Sequence, residues 1–210
     1  NLFAQTQVLC IGNSITFGSG VQDPIKNRYA AILGNKLGDA YEVGVIAEGG
    51  RCVQKSGDKP IGQFAEFQNI NAYLADTVIL FMGTNDAKEV NWVSSDTFYN
   101  DYKYLVQSIM YSSSRPDLWL VLPIPSYDQS NENPIIDSLI KDSINPIIIG
   151  VAAELNRPTI DAYSLFENKT EWYSDGVHPN SNGVEQLAQL LYEAITNDVS
   201  VRFTRKNRRA

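Results

Sequence analysis

Two short segments at opposite ends of the chain hold residue types capable of nucleophilic chemistry. Gly12-Asn13-Ser14-Ile15-Thr16 follows the first apolar run, and Asp175-Gly176-Val177-His178 precedes the last amphipathic segment. His178 is the single histidine of the chain. If Ser14 is a nucleophile, His178 is the one imidazole that can take its proton, and Asp175 stands upstream to orient the ring. A tight loop from Asp175 to His178 lets the carboxylate accept from one ring nitrogen and leaves the other free to accept the serine proton. Pro179 stiffens the exit of that loop. The order Ser…Asp…His reduces the functional question to whether three distant side chains converge.

Further residues fit the same chemistry. Gly83-Thr84-Asn85-Asp86 follows Val78–Met82, a strongly hydrophobic stretch. The Asn85 amide is a donor for a developing oxyanion, and one such donor contributes on the order of 3 kcal/mol in a transition state. Gly49-Gly50 offers a backbone N–H to the same hole. Each segment has a plainer reading: a turn serine, a surface histidine, a polar turn that caps a helix. Gly12, Gly18 and Gly20 with Ser14, Thr16 and Ser19 would also cradle a phosphate. That alternative lacks a Gly-x-Gly-x-x-Gly run and leaves Asp175-x-x-His178 without a role. One histidine speaks against a histidine-based metal cluster, and no Cys/His spacing suggests zinc.

The elements that must position these residues are legible as alternating periodicities. Val8–Ile11, Tyr41–Ile46, Thr77–Met82, Leu118–Leu122 and Thr159–Ala162 read as five strands, several continuously apolar, as strands covered on both faces are. Phe98, Tyr102, Leu105 and Ile109 form one helical stripe. Ile136, Leu139, Ile140, Ile144, Ile147 and Ile148 form another, with a kink expected at Pro146. Val184, Leu187, Ala188, Leu191 and Ile195 form the last, with Asn182 and Glu185 as its capping box. Repeated strand–helix units predict an α/β fold: a parallel five-stranded sheet between two helix layers, joined by right-handed crossovers. Ligands of such sheets bind beyond the carboxyl ends of the strands, where Ser14, Gly49-Gly50, Asn85, Asp175 and His178 all fall. The polar stretch Asp128–Asn133 reads as a loop, not a domain boundary.

The bulk numbers bound the rest. The chain has 210 residues, 43% of them hydrophobic, which suits one α/β domain over residues 7–198. A remnant over 1–6 and a basic tail over 199–210 flank it. The net charge is −7, and the last ten residues carry Arg202, Arg205, Lys206, Arg208 and Arg209 with no acid, so the first 200 carry −12. An acidic body argues against nucleic acid as substrate. The tail reads as a frayed, solvated terminus, with contact to an anionic surface as the alternative. No apolar run nears the ~20 residues of a membrane span. Cys10 and Cys52 do not make a disulfide scaffold. Asn1-Leu2-Phe3-Ala4-Gln5 fits either the stub of a secretory leader or an arbitrary boundary; export to the periplasm or medium is the expectation. Oligomeric state is not encoded legibly.

Together and in this order the motifs resemble the SGNH (GDSL-like) hydrolase family. Its four blocks match as Gly12-Asn13-Ser14-Ile15-Thr16, Glu48-Gly49-Gly50-Arg51, Gly83-Thr84-Asn85-Asp86 and Asp175-Gly176-Val177-His178, within a likeness running from about residue 7 to 196. The resemblance implies a flavodoxin-like three-layer α/β/α fold and no metal or organic cofactor. It implies Ser14 as nucleophile, His178 as base and Asp175 as its orienting partner. The oxyanion donors would be the Ser14 N–H, the Gly50 N–H and the Asn85 side chain. Two departures stand out: Asn13 replaces the usual Asp, and Val45 falls where the second block usually has Asn, leaving open whether Gly49 or Gly50 donates. Gly83–Trp92 also looks like the corresponding stretch of bacterial carbohydrate and sialate O-acetylesterases. Asn13, Lys88, Trp92 and Tyr127 are the expected substrate-binding residues at the mouth, Trp92 to stack on a sugar and Lys88 to meet a carboxylate or hydroxyl. The expectation is a serine esterase that removes short acyl groups, acetyl above all, from a carbohydrate. The alternatives are an aryl-ester, thioester or lysophospholipid hydrolase of the same mechanism, or a non-catalytic phosphate- or glycan-binding module.

Overall fold

Successive residues of a strand face opposite sides of a sheet, and the first apolar run shows it directly. Val8 and Cys10 pack with Ile79, Phe81, Trp119 and Val121 on one face. Leu9 and Ile11 pack with Val78, Leu80, Leu118 and Leu120 on the other. The computed structural model describes residues 5–130 and 132–206, with side chains to residue 197. Its strands are β1 (Thr6–Gly12), β2 (Tyr41–Ala47), β3 (Thr77–Phe81), β4 (Asp117–Val121) and β5 (Thr159–Ile160). All pair in parallel in the order β2-β1-β3-β4-β5.

The helices that matter for the site are α1 (Ser14–Phe17), α2 (Tyr29–Leu37), α3 (Ser95–Met110), α4 (Asn145–Glu154), α5 (Ala162–Phe166) and α6 (Ser181–Lys206). α2 and α6 cover one face through Tyr29, Leu33, Val184, Leu187 and Leu191. α3 and α4 cover the other through Phe98, Tyr102, Leu105, Ile148 and Val151. The three-layer α/β/α expectation is therefore met. In this strand order the chain leaves β1 for β2, then crosses back over β1 to reach β3. The loops after β1 and β3 diverge there and open a crevice at the carboxyl edge. Ser14 and Asn85 stand on those two loops.

Three local details differ from expectation, each for a stated reason. The last strand ends at Ile160 because Asp161 turns to cap α5, its carboxylate accepting from the Ser164 N–H at 2.9 Å and the Ser164 hydroxyl at 2.7 Å. The kink expected at Pro146 is a π turn over Ile140–Ile144. Proline has no N–H and crowds the carbonyl four residues back, here Asp142, so the helix widens ahead of it. The cap of α6 is Asn180, not Asn182: its Oδ1 accepts from the Asn182 N–H at 3.0 Å and the Gly183 N–H at 3.2 Å. The basic side chains expected as a tail over 199–210 lie outside the described residues; the backbone of α6 runs to Lys206. No helix among the described residues is long and apolar enough to cross a membrane.

Candidate active site

The turn after β1 is packed from beneath. A Cβ on Gly12 would fall 1.9 Å from Thr16 Oγ1, so only glycine lets α1 start this close to the strand. The Thr16 hydroxyl pairs with the Tyr29 hydroxyl at 3.0 Å in the core, which pins α1 to α2. Asn13 caps α1, its Oδ1 accepting from the Ile15 N–H at 3.0 Å. Ser14 is then the first helical residue, and its N–H has no acceptor within the helix.

The loop Ser174–His178 folds back on itself over a short span. Gly176 takes φ +85, a conformation that L side chains rarely adopt, and its carbonyl accepts from the Tyr127 N–H at 2.7 Å. Asp175 Oδ1 accepts from the Val177 and His178 N–H groups at 2.9 and 2.8 Å. Its Oδ2 lies 2.7 Å from His178 Nδ1. A carboxylate only accepts, so Nδ1 carries the proton and Nε2 is left bare. His178 Nε2 lies 2.9 Å from Ser14 Oγ, as an acceptor for the serine hydroxyl. Burial works against the Asp175 charge, but the His178 ring and the His178 and Val177 amides outweigh it and hold the carboxyl below its ordinary range.

Ser14 and His178 open into a cavity of about 400 Å³. Gly49, Gly50, Asn85 and Lys88 line one wall of it, as the sequence expects of Gly50, Asn85 and Lys88. The Asn85 amide donates one hydrogen to the Arg51 carbonyl at 3.0 Å and keeps a second. Asp128, Ser130, Glu132, Asn133 and Ile135 also line it. In sequence this stretch reads as a polar loop. The available signal was its place just past β4, at the edge where ligands bind. Asp128 shapes the wall, its carboxylate accepting from the Ser130 N–H at 2.8 Å and the Ile135 N–H at 2.9 Å. Burial opposes its charge, and those amides hold it below the ordinary carboxylate range all the same.

Three expected substrate-binding residues lie elsewhere. Asn13 is 1% exposed and faces the α1 backbone, not the cavity. Trp92 packs against Phe98, ring centres 5.9 Å apart, because the apolar indole finds the core beside it. Tyr127 lies across the Asp175 loop from the cavity, its hydroxyl donating to the Phe166 carbonyl and accepting from the Asn168 N–H at 2.7 Å. Cys10 and Cys52 are buried and unpaired. No group of three His, Cys, Asp or Glu side chains among the described residues is placed to hold a metal.

A serine, a bare imidazole nitrogen and a carboxylate in one hydrogen-bonded line, beside amide donors, are equipped for acyl transfer. At the carboxyl edge of a parallel α/β sheet that equipment is suited to ester hydrolysis. Known proteins agree. Residues 10–186 match the GDSL-like lipase/acylhydrolase family, and the chain belongs to that family. It is 30% identical over 207 residues to an acetylxylan esterase from Xylanibacter ruminicola, an overlap of 90% of this chain and 43% of that protein. The chain thus spans less than half the length of that curated relative. In fold it is similar to Est24, a carbohydrate acetylesterase from Sinorhizobium meliloti, with TM-score 0.76, 17% identity and coverage of 92% and 99% of the two chains. It is equally similar in fold to the aryl esterase of M. smegmatis, with TM-score 0.76, 20% identity and coverage of 91% and 99%.

Proposed function

We propose that this chain hydrolyses short acyl esters, acetyl esters foremost, on a carbohydrate carrier. The observation that carries the reading is His178 bridging Ser14 at 2.9 Å and Asp175 at 2.7 Å. Ser14 Oγ attacks the ester carbonyl while His178 Nε2 takes its proton. The oxyanion is met by the Ser14 N–H, the Gly50 N–H and the free hydrogen of the Asn85 amide. The imidazolium gives its proton to the departing alcohol, leaving an acyl-serine. His178 then activates water to release the acid and restore Ser14. Asp175 keeps the ring in the tautomer this cycle needs and stabilises the imidazolium.

Two observations support a short acyl group on a sugar. The cavity of about 400 Å³ holds far more than an acetyl group, so most of it is left for the carrier. Its walls offer Lys88, Asp128, Ser130 and Asn133 to hydroxyl groups, and its apolar side chains are Ile135 and Val177. The names of the acetylxylan esterase and of the carbohydrate acetylesterase are in line with this.

Hydrolysis of p-nitrophenyl acetate by wild type, Ser14→Ala and His178→Ala tests the mechanism. Turnover in either variant should fall by about 10⁴-fold or more. Turnover equal to wild type in a folded Ser14→Ala protein would remove the reading. Acetate release from acetylated xylan, set against p-nitrophenyl decanoate cleavage, tests the carrier; faster decanoate cleavage would point to a lipid-like ester instead.

A further inference from the structure

Asp86, Gln54 and Asn91 are among the most deeply buried polar side chains described, and the cycle above uses none of them. All three join the loop 50–58 to the loop 83–93. Asp86 Oδ1 accepts from the Val53 N–H at 3.0 Å and the Gln54 N–H at 2.9 Å, and Oδ2 from the Val53 N–H at 2.9 Å. Gln54 Nε2 donates to the Asn91 carbonyl at 2.8 Å, and its Oε1 accepts from the Val93 N–H at 3.2 Å. Asn91 Nδ2 donates to the Asn85 carbonyl at 2.9 Å, and its Oδ1 accepts from the Asp58 N–H at 2.7 Å. The Asn85 amide completes the seam through the Arg51 carbonyl.

The seam has a cost that packing alone does not explain. A carboxylate at 0% exposure whose partners are backbone amides is expensive, and apolar residues of similar volume would hold two loops more cheaply. What an acceptor-rich centre supplies, and an apolar one does not, is a fixed register between two backbones. On the esterase reading, each backbone carries one donor of the proposed oxyanion hole: Gly50 on the first, Asn85 on the second. We propose that Asp86 is a positioning residue for ester hydrolysis, holding the Val53 and Gln54 amides so that Gly50 and Asn85 keep one spacing. The inference rests on the esterase reading above. Asp86 touches no reacting atom; it acts through the two donors. Misplacing such a donor by about 1 Å costs on the order of 10²-fold in rate, with little effect on ground-state binding.

The test is Asp86→Asn, which keeps the shape and places an NH₂ against N–H groups, assayed with p-nitrophenyl acetate. The expected result is kcat lowered about 10–100-fold with KM within about 3-fold of wild type. Gln54→Met is the second variant, since it loosens the seam without removing the carboxylate; it should lower kcat about 3–10-fold at constant KM. Circular dichroism melts establish which variants are folded, and Gln54→Met decides the matter if Asp86→Asn is not. A folded variant with wild-type kcat, or a loss confined to KM, overturns the inference. Failure of the esterase reading looks different: there Ser14→Ala itself retains turnover.

Discussion

Beside Gly50 and Asn85, most of the hydrogen bonds that join the two loops are buried and link residues more than 30 apart in sequence, as from Val53 and Gln54 to Asp86. Around His178, the bonds that orient the ring are local: Asp175 accepts from Val177 and His178, and its side chain remains 53% exposed. One side of the cavity is held mainly by remote hydrogen bonds, whereas the carboxylate that orients His178 is held within its own short loop. The difference matches the tasks proposed for them. Amide donors act on an oxyanion through fixed positions that must not reorganise. An imidazole must give and take a proton, and needs its partner held beside it more than it needs a dry interior.

The largest break to this comparison comes from the local side. Asp175→Asn cannot accept the Nδ1 proton as a charged partner and favours the wrong ring tautomer, so kcat/KM for p-nitrophenyl acetate should fall by about 10⁴-fold. A loss under ten-fold would mean that the loop backbone alone orients His178. Next comes Asn85→Ala, which removes one donor from the buried wall. The expected loss is about 10²–10³ in kcat, with KM nearly constant. A rise in KM without a change in kcat would show Asn85 binding the substrate's ground state instead.

The smallest effect uses pH to set Asp175 against Asp86. Asp175 is held below its ordinary value of 3.8, so its contribution to stability is present above that value and lost as pH falls through the folded one. For Asp86 the sign is opposite. Burial pushes its carboxyl up to about 7, against the pull of the Gln54 and Val53 amides, so its contribution is present below 3.8 and lost as pH rises through about 7. Cys52 and Tyr102 face the same interior, where burial first and the Asp86 charge second raise both, the thiol to about 12. In thermal melts, the advantage of wild type over Asp175→Asn should shrink from about pH 6 to about pH 3. Wild type should lose ground against Asp86→Asn from about pH 4 to about pH 8. Shifts of the same sign in both pairs would erase the distinction between the walls.

The parallel sheet was legible because strands covered on both faces are written as unbroken apolar runs, as in Val78–Phe81. The meeting of Ser14, Asp175 and His178 was legible because a single histidine leaves one possible imidazole partner and because Asp175 meets it within its own loop. Asn180 was missed as the α6 cap in favour of Asn182, since both precede the same apolar stripe and only the backbone geometry separates them. Trp92 and Tyr127 were expected at the mouth from their nearness in sequence to the strand ends. Each side chain instead turns to an aromatic neighbour, Phe98 or Tyr173.

What the amino-acid order settled by itself is whatever depends on neighbours: the period of each element, the glycine that Ser14 follows, the short reach from Asp175 to His178. Folding decided whatever depends on distant partners. Asp128, Ser130, Glu132, Asn133 and Ile135 line the cavity, Asn13 uses its oxygen on α1 rather than on a ligand, and Asp86 ties its own loop to the remote Val53 and Gln54. The physical reason is the range of the forces. Periodicity and turns are fixed within a few residues, whereas burial and the hydrogen bonds that compensate it exist only once remote segments have met.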